Sequence, residues 1–150
     1  MNQSNYEPLL LSTLPLLNQY WEASSPLIEQ CIRNTMHVEV TLEDIYGALT
    51  RSELFMFVVK ADLDTGPDVE LIVILQPLPY PRLPAMNILG LAGRNLASNG
   101  KKYWGYLQGW MYMSGVRAIE AYVSPAMERI VKRFGFNRTS VHVRLPLNHQ

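Results

Sequence analysis

Arg94, Asn95, Asn99, Lys101 and Lys102 fall between an apolar run, residues 85–92, and an aromatic-rich stretch with helical spacing. Cationic and amide side chains gathered at a helix start suit an anion, because the first N–H groups of a helix have no intrahelical partner and carry the positive end of its dipole. The same residue types also make an ordinary solvated polar turn, so the cluster alone leaves both readings open. Other groups offer less. His37, His142 and His149 have no carboxylate at ligand spacing, and no metal site is expected. Cys31 is the single cysteine, which excludes an internal disulfide and reads as a small buried hydrophobe. Ser124 has no base partner and suits a helix N-cap better than a nucleophile. No residue is assigned a catalytic role.

Composition narrows the classes of partner. The 150 residues are 48% apolar and 17% charged, which predicts one domain with one well-buried core. Thirteen basic and thirteen acidic residues cancel, so overall charge supplies no attraction for nucleic acid or an anionic membrane, and neither partner is expected. No apolar run approaches bilayer-spanning length, and the first residues carry no secretion signal.

The elements that must position the polar cluster follow from periodicity. Residues 12–21 place Leu14, Leu17 and Trp21 at helical spacing, with Pro15 in the first turn. Residues 26–34 read as a second short helix, capped by Ser24 or Ser25 with Pro26 near its first position. Thr41 and Asp44 form a capping-box pattern ahead of Ile45, Ala48 and Leu49. From residue 54 the pattern changes to strand. Residues 54–61 and 69–76 make a hairpin, Pro77, Pro79, Pro81 and Pro84 break pairing over 77–84, and residues 85–92 form a third strand. A helix over 101–114, a strand over 118–123, a helix over 125–134 stopped by Gly135, and a strand over 140–147 complete the order. In the last strand Val141, Val143 and Leu145 share a face opposite His142 and Arg144. An antiparallel front half and an alternating back half give an α/β fold, a mixed central sheet flanked by helices.

The aromatic helix carries Tyr103, Trp104, Tyr106, Trp110 and Tyr112 on more than one face, with Gly105 and Gly109 four apart. One side packs on the sheet. Trp104, Tyr106 and Trp110 are the candidates for a partner surface, since Trp and Tyr are enriched at interface hot spots.

Residues 40–147 resemble the GNAT superfamily, the acetyl-CoA-dependent N-acetyltransferase fold. The family's fourth strand runs into a loop, Gln/Arg-x-x-Gly-x-Gly/Ala, whose backbone N–H groups bind the coenzyme pyrophosphate. Arg94 matches the first position, Ala97 and Asn99 replace the small residues, and Gly100 stands one place late. Gly135-Phe136 matches the family's Gly-Phe ending. Counting back from it places Val131 where a tyrosine often protonates the leaving thiolate, and Ser124 where an asparagine stands. Only residues 137–147 follow, one strand's worth, so the resemblance implies a GNAT-like domain shortened at the C-terminus, with residues 1–40 a helical N-terminal part.

Leu91-Ala92-Gly93-Arg94-Asn95, Trp104 and Trp110, Ile119-Glu120-Ala121-Tyr122, Met127-Glu128-Arg129 and Gly135-Phe136 are similar to small GNAT-like proteins encoded among the structural genes of tailed bacteriophages. This resemblance implies a virion-associated protein, in the virion or the host cytoplasm, that meets other virion proteins, has a degenerate coenzyme site and uses no cofactor. The alternative it leaves is an active N-acetyltransferase. Acetyl-CoA would then lie along Leu89 and Leu91, with Arg94, Asn95, Asn99, Gly100 and Lys101 at its phosphates, water in place of the tyrosine, and Glu39, Glu43 or Asp44 as general base.

Overall fold

The computed structural model describes residues 5–34, 40–141 and 143–147. The chain divides into two compact units, Met1–Glu120 and Ala121–Gln150. The first carries the sheet. It begins with a strand, β1 (Glu7–Leu10), where helix was expected, and continues as α1 (Leu14–Asn34) and α2 (Leu42–Thr50). Strands β2 (Phe55–Leu63), β3 (Gly66–Leu78) and β4 (Ala85–Gly93) follow, then α3 (Leu96–Met113) and β5 (Ala118–Ala121). The strands lie in sequence order, β1-β2-β3-β4-β5. The first three neighbour pairs are antiparallel, while β4 reaches β5 through the crossover helix α3.

Alternation along β2 over residues 56–59 and along β3 over residues 71–75 explains the layers. Met56, Val58, Ile72 and Ile74 join Leu17, Ile28 and Cys31 of α1 and Ile45 of α2 in one buried cluster. Phe57, Val59, Leu71, Val73 and Leu75 join Tyr103, Leu107 and Met111 of α3 in the other. Two apolar faces on one sheet require helices on both sides.

Four expectations about the elements need correction. First, α1 is one helix of 21 residues that runs through Pro26. Neither serine caps a second helix: Ser24 is buried, and the Ser25 hydroxyl donates to the Trp21 carbonyl four residues back at 2.7 Å. Second, Pro77 does not break the sheet but pairs with Met86. The β2 ladder begins opposite Leu75, so Pro77 lies where β3 has a neighbour on one side only and no ladder donor is lost on the other. Third, α3 starts at Leu96, five residues before position 101, so most of the polar cluster is helix rather than loop. Fourth, no strand forms among residues 140, 141 and 143–147; Val141, Val143 and Leu145 are exposed. Alternation is what a half-buried strand needs, but a strand exists only through a ladder. The sheet's five strands end at Ala121.

The α2 start is as its sequence reads. The Thr41 side chain accepts from the Asp44 N–H and the Asp44 carboxylate accepts from the Thr41 N–H.

The second unit holds α4 (Pro125–Lys132). Ser124 caps it by accepting from the Met127 N–H at 3.2 Å, and Gly135, at φ +96°, follows its end. Glu128 is paired with Arg138.

Candidate functional site

The β4–α3 junction gathers the features that could hold a ligand. On β4, Gly90 faces Ile74 and Ile88 faces Leu75, so Leu89 is an extra residue in the ladder. Such a bulge leaves backbone groups outside the regular pairing and re-aims the strand. Leu89 packs partly against the α1-side cluster, and Leu91 is 37% exposed.

At the strand's end the backbones of β3 and β4 come very close. A Cβ on Gly93 would stand 2.4 Å from the Glu70 carbonyl oxygen, and the Arg94 N–H donates to that same oxygen at 2.8 Å. Asn95 then turns the chain in the left-handed region, φ 50° and ψ 46°, and gives α3 no side-chain cap. Asn is among the residues that tolerate this conformation best. The Asn99 N–H donates to the Asn95 carbonyl at 2.9 Å, which leaves the N–H groups of Leu96, Ala97 and Ser98 ahead of the first such bond.

Asn99 is 8% exposed, and its carboxamide donates to the Arg94 carbonyl at 2.8 Å. The side chain that stands in place of a small residue of the family's loop is folded into the turn and braces it. Among the described residues, nothing outside its own helix backbone lies within 4 Å of where a Cβ on Gly100 would lie. Lys101 is exposed, and the Lys102 ammonium lies over the Tyr103 ring at 5.2 Å.

Arg94 has partners that no local pattern signals. Its guanidinium donates to the Asp68 carboxylate at 2.6 Å and to the Tyr6 hydroxyl at 3.4 Å, and that hydroxyl donates to the same carboxylate. The Arg94 hydrogen bond, then that of Tyr6, holds the Asp68 carboxyl below the usual carboxylate range. The bond to Asp68 raises Tyr6. A depressed carboxylate contributes stability above its unfolded pKa and loses it as pH falls through the folded value. Asp68→Asn is therefore expected to cost about 1 kcal/mol at neutral pH, a discounted figure for a partly exposed pair. Urea titrations at stepwise lower pH should show the difference closing below the ordinary carboxylate value; a constant gap would exclude ionisation as the cause.

The remaining candidates are dispersed. Asp44 is committed to the α2 cap, and the Thr41 N–H draws its carboxyl below the usual range. Glu43 is exposed on α2. Glu39, His37, His142 and His149 lie outside the described residues. Among the described residues no group of His, Cys, Asp or Glu could hold a metal.

Trp104 and Trp110 pack partly against the α3-side cluster. Tyr106 is 56% exposed, its ring 5.8 Å from that of Phe57. Beyond the packed stripe, α3 shows Tyr112 and Met113 at 63% and 85% exposure, and among the described residues nothing outside the helix's own backbone lies within 4 Å of a Cβ at Gly105 or Gly109. Among the described residues those glycines serve no close packing. Gly105→Ala and Gly109→Ala are each expected to raise stability by up to ~1 kcal/mol, read by thermal melting. A loss would mean the face is packed against something.

No family model and no curated protein matches this chain. Solved structures do. The aminoglycoside N-acetyltransferase AAC(6')-Iy in complex with CoA aligns over 99% of this chain and 98% of its own, with a TM-score of 0.70 and 16% identity. A predicted acetyltransferase with acetyl-CoA from Clostridium acetobutylicum aligns over 96% of each chain, TM-score 0.65, at 12% identity. The glucosamine-6-phosphate N-acetyltransferase from Arabidopsis thaliana covers 95% of this chain and 99% of its own, TM-score 0.64, at 14% identity. The chain has the GNAT fold.

Proposed function

We propose that this chain binds acetyl-CoA along β4 and at the start of α3, and acts as an N-acyltransferase. The observation that carries this reading is the junction itself: a bulge at Leu89, a left-handed turn at Asn95, and three helix N–H groups with no intrahelical bond, with Asn99 folded inward. Such N–H groups suit a diphosphate. The fold is shared with structures in complex with CoA and with acetyl-CoA, which supports the reading without assigning a substrate.

Strand backbone over residues 89–92 would take the coenzyme's amide arm, and the N–H groups of Leu96, Ala97 and Ser98, with Lys101, its phosphates. When bound, the coenzyme supplies an acyl thioester, an activated donor for an amine. Asn95 and Asn99 hold the turn rigid, and the bulge leaves strand backbone free to orient a ligand. The sequence position of the family's tyrosine holds Val131, so water is the proposed proton source for a leaving thiolate.

A second reading is a non-catalytic, virion-associated protein that meets other virion proteins and needs no cofactor. The exposed face of α3 around Tyr106, Tyr112 and Met113, together with Val131 in place of a tyrosine, favours it. Calorimetry with acetyl-CoA separates the two. The coenzyme reading expects micromolar binding that is lost in Gly100→Tyr, a substitution with open space for its first atom. Absence of heat with folded protein supports the second reading.

A further inference from the structure

Arg94 is the cation nearest in sequence to the left-handed turn that opens α3, and its charge is already answered. One carboxylate, Asp68 on β3, accepts from it at 2.6 Å, and the Tyr6 hydroxyl, ahead of β1, lies 3.4 Å from the same guanidinium nitrogen. Tyr6 also donates to Asp68, so the three side chains form a closed set drawn from three separate parts of the first unit. The pair is not sealed off: the Arg94 side chain is 54% exposed and that of Asp68 30%. Glu70 adds a further negative charge that acts on Arg94.

We infer that Asp68 and Tyr6 form a latch on Arg94 that sets the affinity of the α3 start for a phosphorylated ligand. The inference rests on the coenzyme-binding reading of the same junction. A diphosphate arriving at the Leu96, Ala97 and Ser98 N–H groups finds the guanidinium that precedes them in sequence engaged by a carboxylate rather than free. It must either draw Arg94 away from Asp68 or bind beside an ion pair with no net charge. In both cases the acid lowers anion affinity, and Tyr6 strengthens the hold by orienting the shared oxygen. Removing a negative charge from the ligand's surroundings should then tighten binding, and the gain should pass through Arg94.

The test is a double-mutant cycle read by calorimetry with acetyl-CoA as probe, at two salt concentrations. Asp68→Asn keeps the shape and an acceptor oxygen while removing the charge, and is expected to bind about tenfold tighter than the wild type, with a steeper loss in salt. Arg94→Ala in the wild-type background leaves the Asp68 charge unanswered and should weaken binding, and in the Asp68→Asn background should erase the gain. Tyr6→Phe, which keeps the ring and both charges, should give a smaller tightening and covers the case in which Asp68→Asn does not fold. Wild-type binding with no tightening in either folded variant overturns the latch while leaving the coenzyme reading intact. A gain that survives Arg94→Ala also overturns it. No binding in the wild type but binding in Asp68→Asn supports the latch in a stronger form. No binding in any folded variant overturns the latch together with the reading beneath it.

Discussion

Gly93→Ala is expected to destabilise the protein by roughly 3 kcal/mol, at the severe end for a single added methyl group. The new Cβ would sit 2.4 Å from the Glu70 carbonyl oxygen and 2.8 Å from the Leu71 Cα. Both are backbone atoms, so no side chain can swing aside. Gly93 faces Leu71 in the β3–β4 register, and the Glu70 oxygen accepts the Arg94 N–H at 2.8 Å. Relief therefore means parting the two strands where they hand the chain to α3. The damage would fall on the candidate site as well as on the sheet, since Arg94, Asn95 and the first turn of α3 follow directly. Urea unfolding followed by circular dichroism measures it, with Gly100→Ala as the control: that position is open and helical, and a gain of up to ~1 kcal/mol is expected there. If Gly93→Ala melted within experimental error of the wild type, the strand contact at the junction would be wrong.

Much of this geometry is written in local pattern, and the part that is not depends on distant partners. The alternation of residues 54–61 and 69–76 announces two-faced strands because each side chain's direction follows from the pleat alone. Thr41 with Asp44, and Ser124 ahead of Pro125, mark helix starts because a cap is a contact between residues three apart. β1 was missed for the opposite reason. Its four residues include Pro8 and become a strand only by pairing with residues 57–60 of β2, which no local window contains. The proline positions show the same limit: Pro77 is tolerated because of where β2 stops, a fact about another strand.

The site divides along the same line. Residues 94–102 stand out by composition, and Arg94 and Asn99 do lie at the junction. What each does there is set by partners: Asp68 is 26 residues and Tyr6 88 residues from Arg94. Asn99 stands in the sequence only as a larger residue where the family's loop keeps a small one. Its hydrogen bond to the Arg94 carbonyl, which turns it inward, depends on the left-handed Asn95 between them, and a residue type does not announce its φ.

Ser98→Glu should test the place of the coenzyme most sharply, because its effects on fold and on site have opposite signs. Ser98 is exposed at the third helical position of α3, whose first turn carries no acidic residue. A carboxylate there meets the positive end of the helix dipole and is expected to stabilise the helix by about 0.3–1 kcal/mol, partly offset by loss of the exposed Ser98 hydroxyl bond to the Asn95 carbonyl. The same charge would occupy the place proposed for a diphosphate. Like charges a few ångströms apart near a protein surface repel by several kcal/mol before screening, so acetyl-CoA affinity should fall by about two orders of magnitude. Thermal melting and calorimetry on one preparation read both effects. Stability kept or raised, with binding lost, locates the ligand at the start of α3 without any appeal to misfolding. Binding retained at wild-type strength would place the coenzyme elsewhere, and the inward-folded Asn99 would then be a brace for the turn and nothing more.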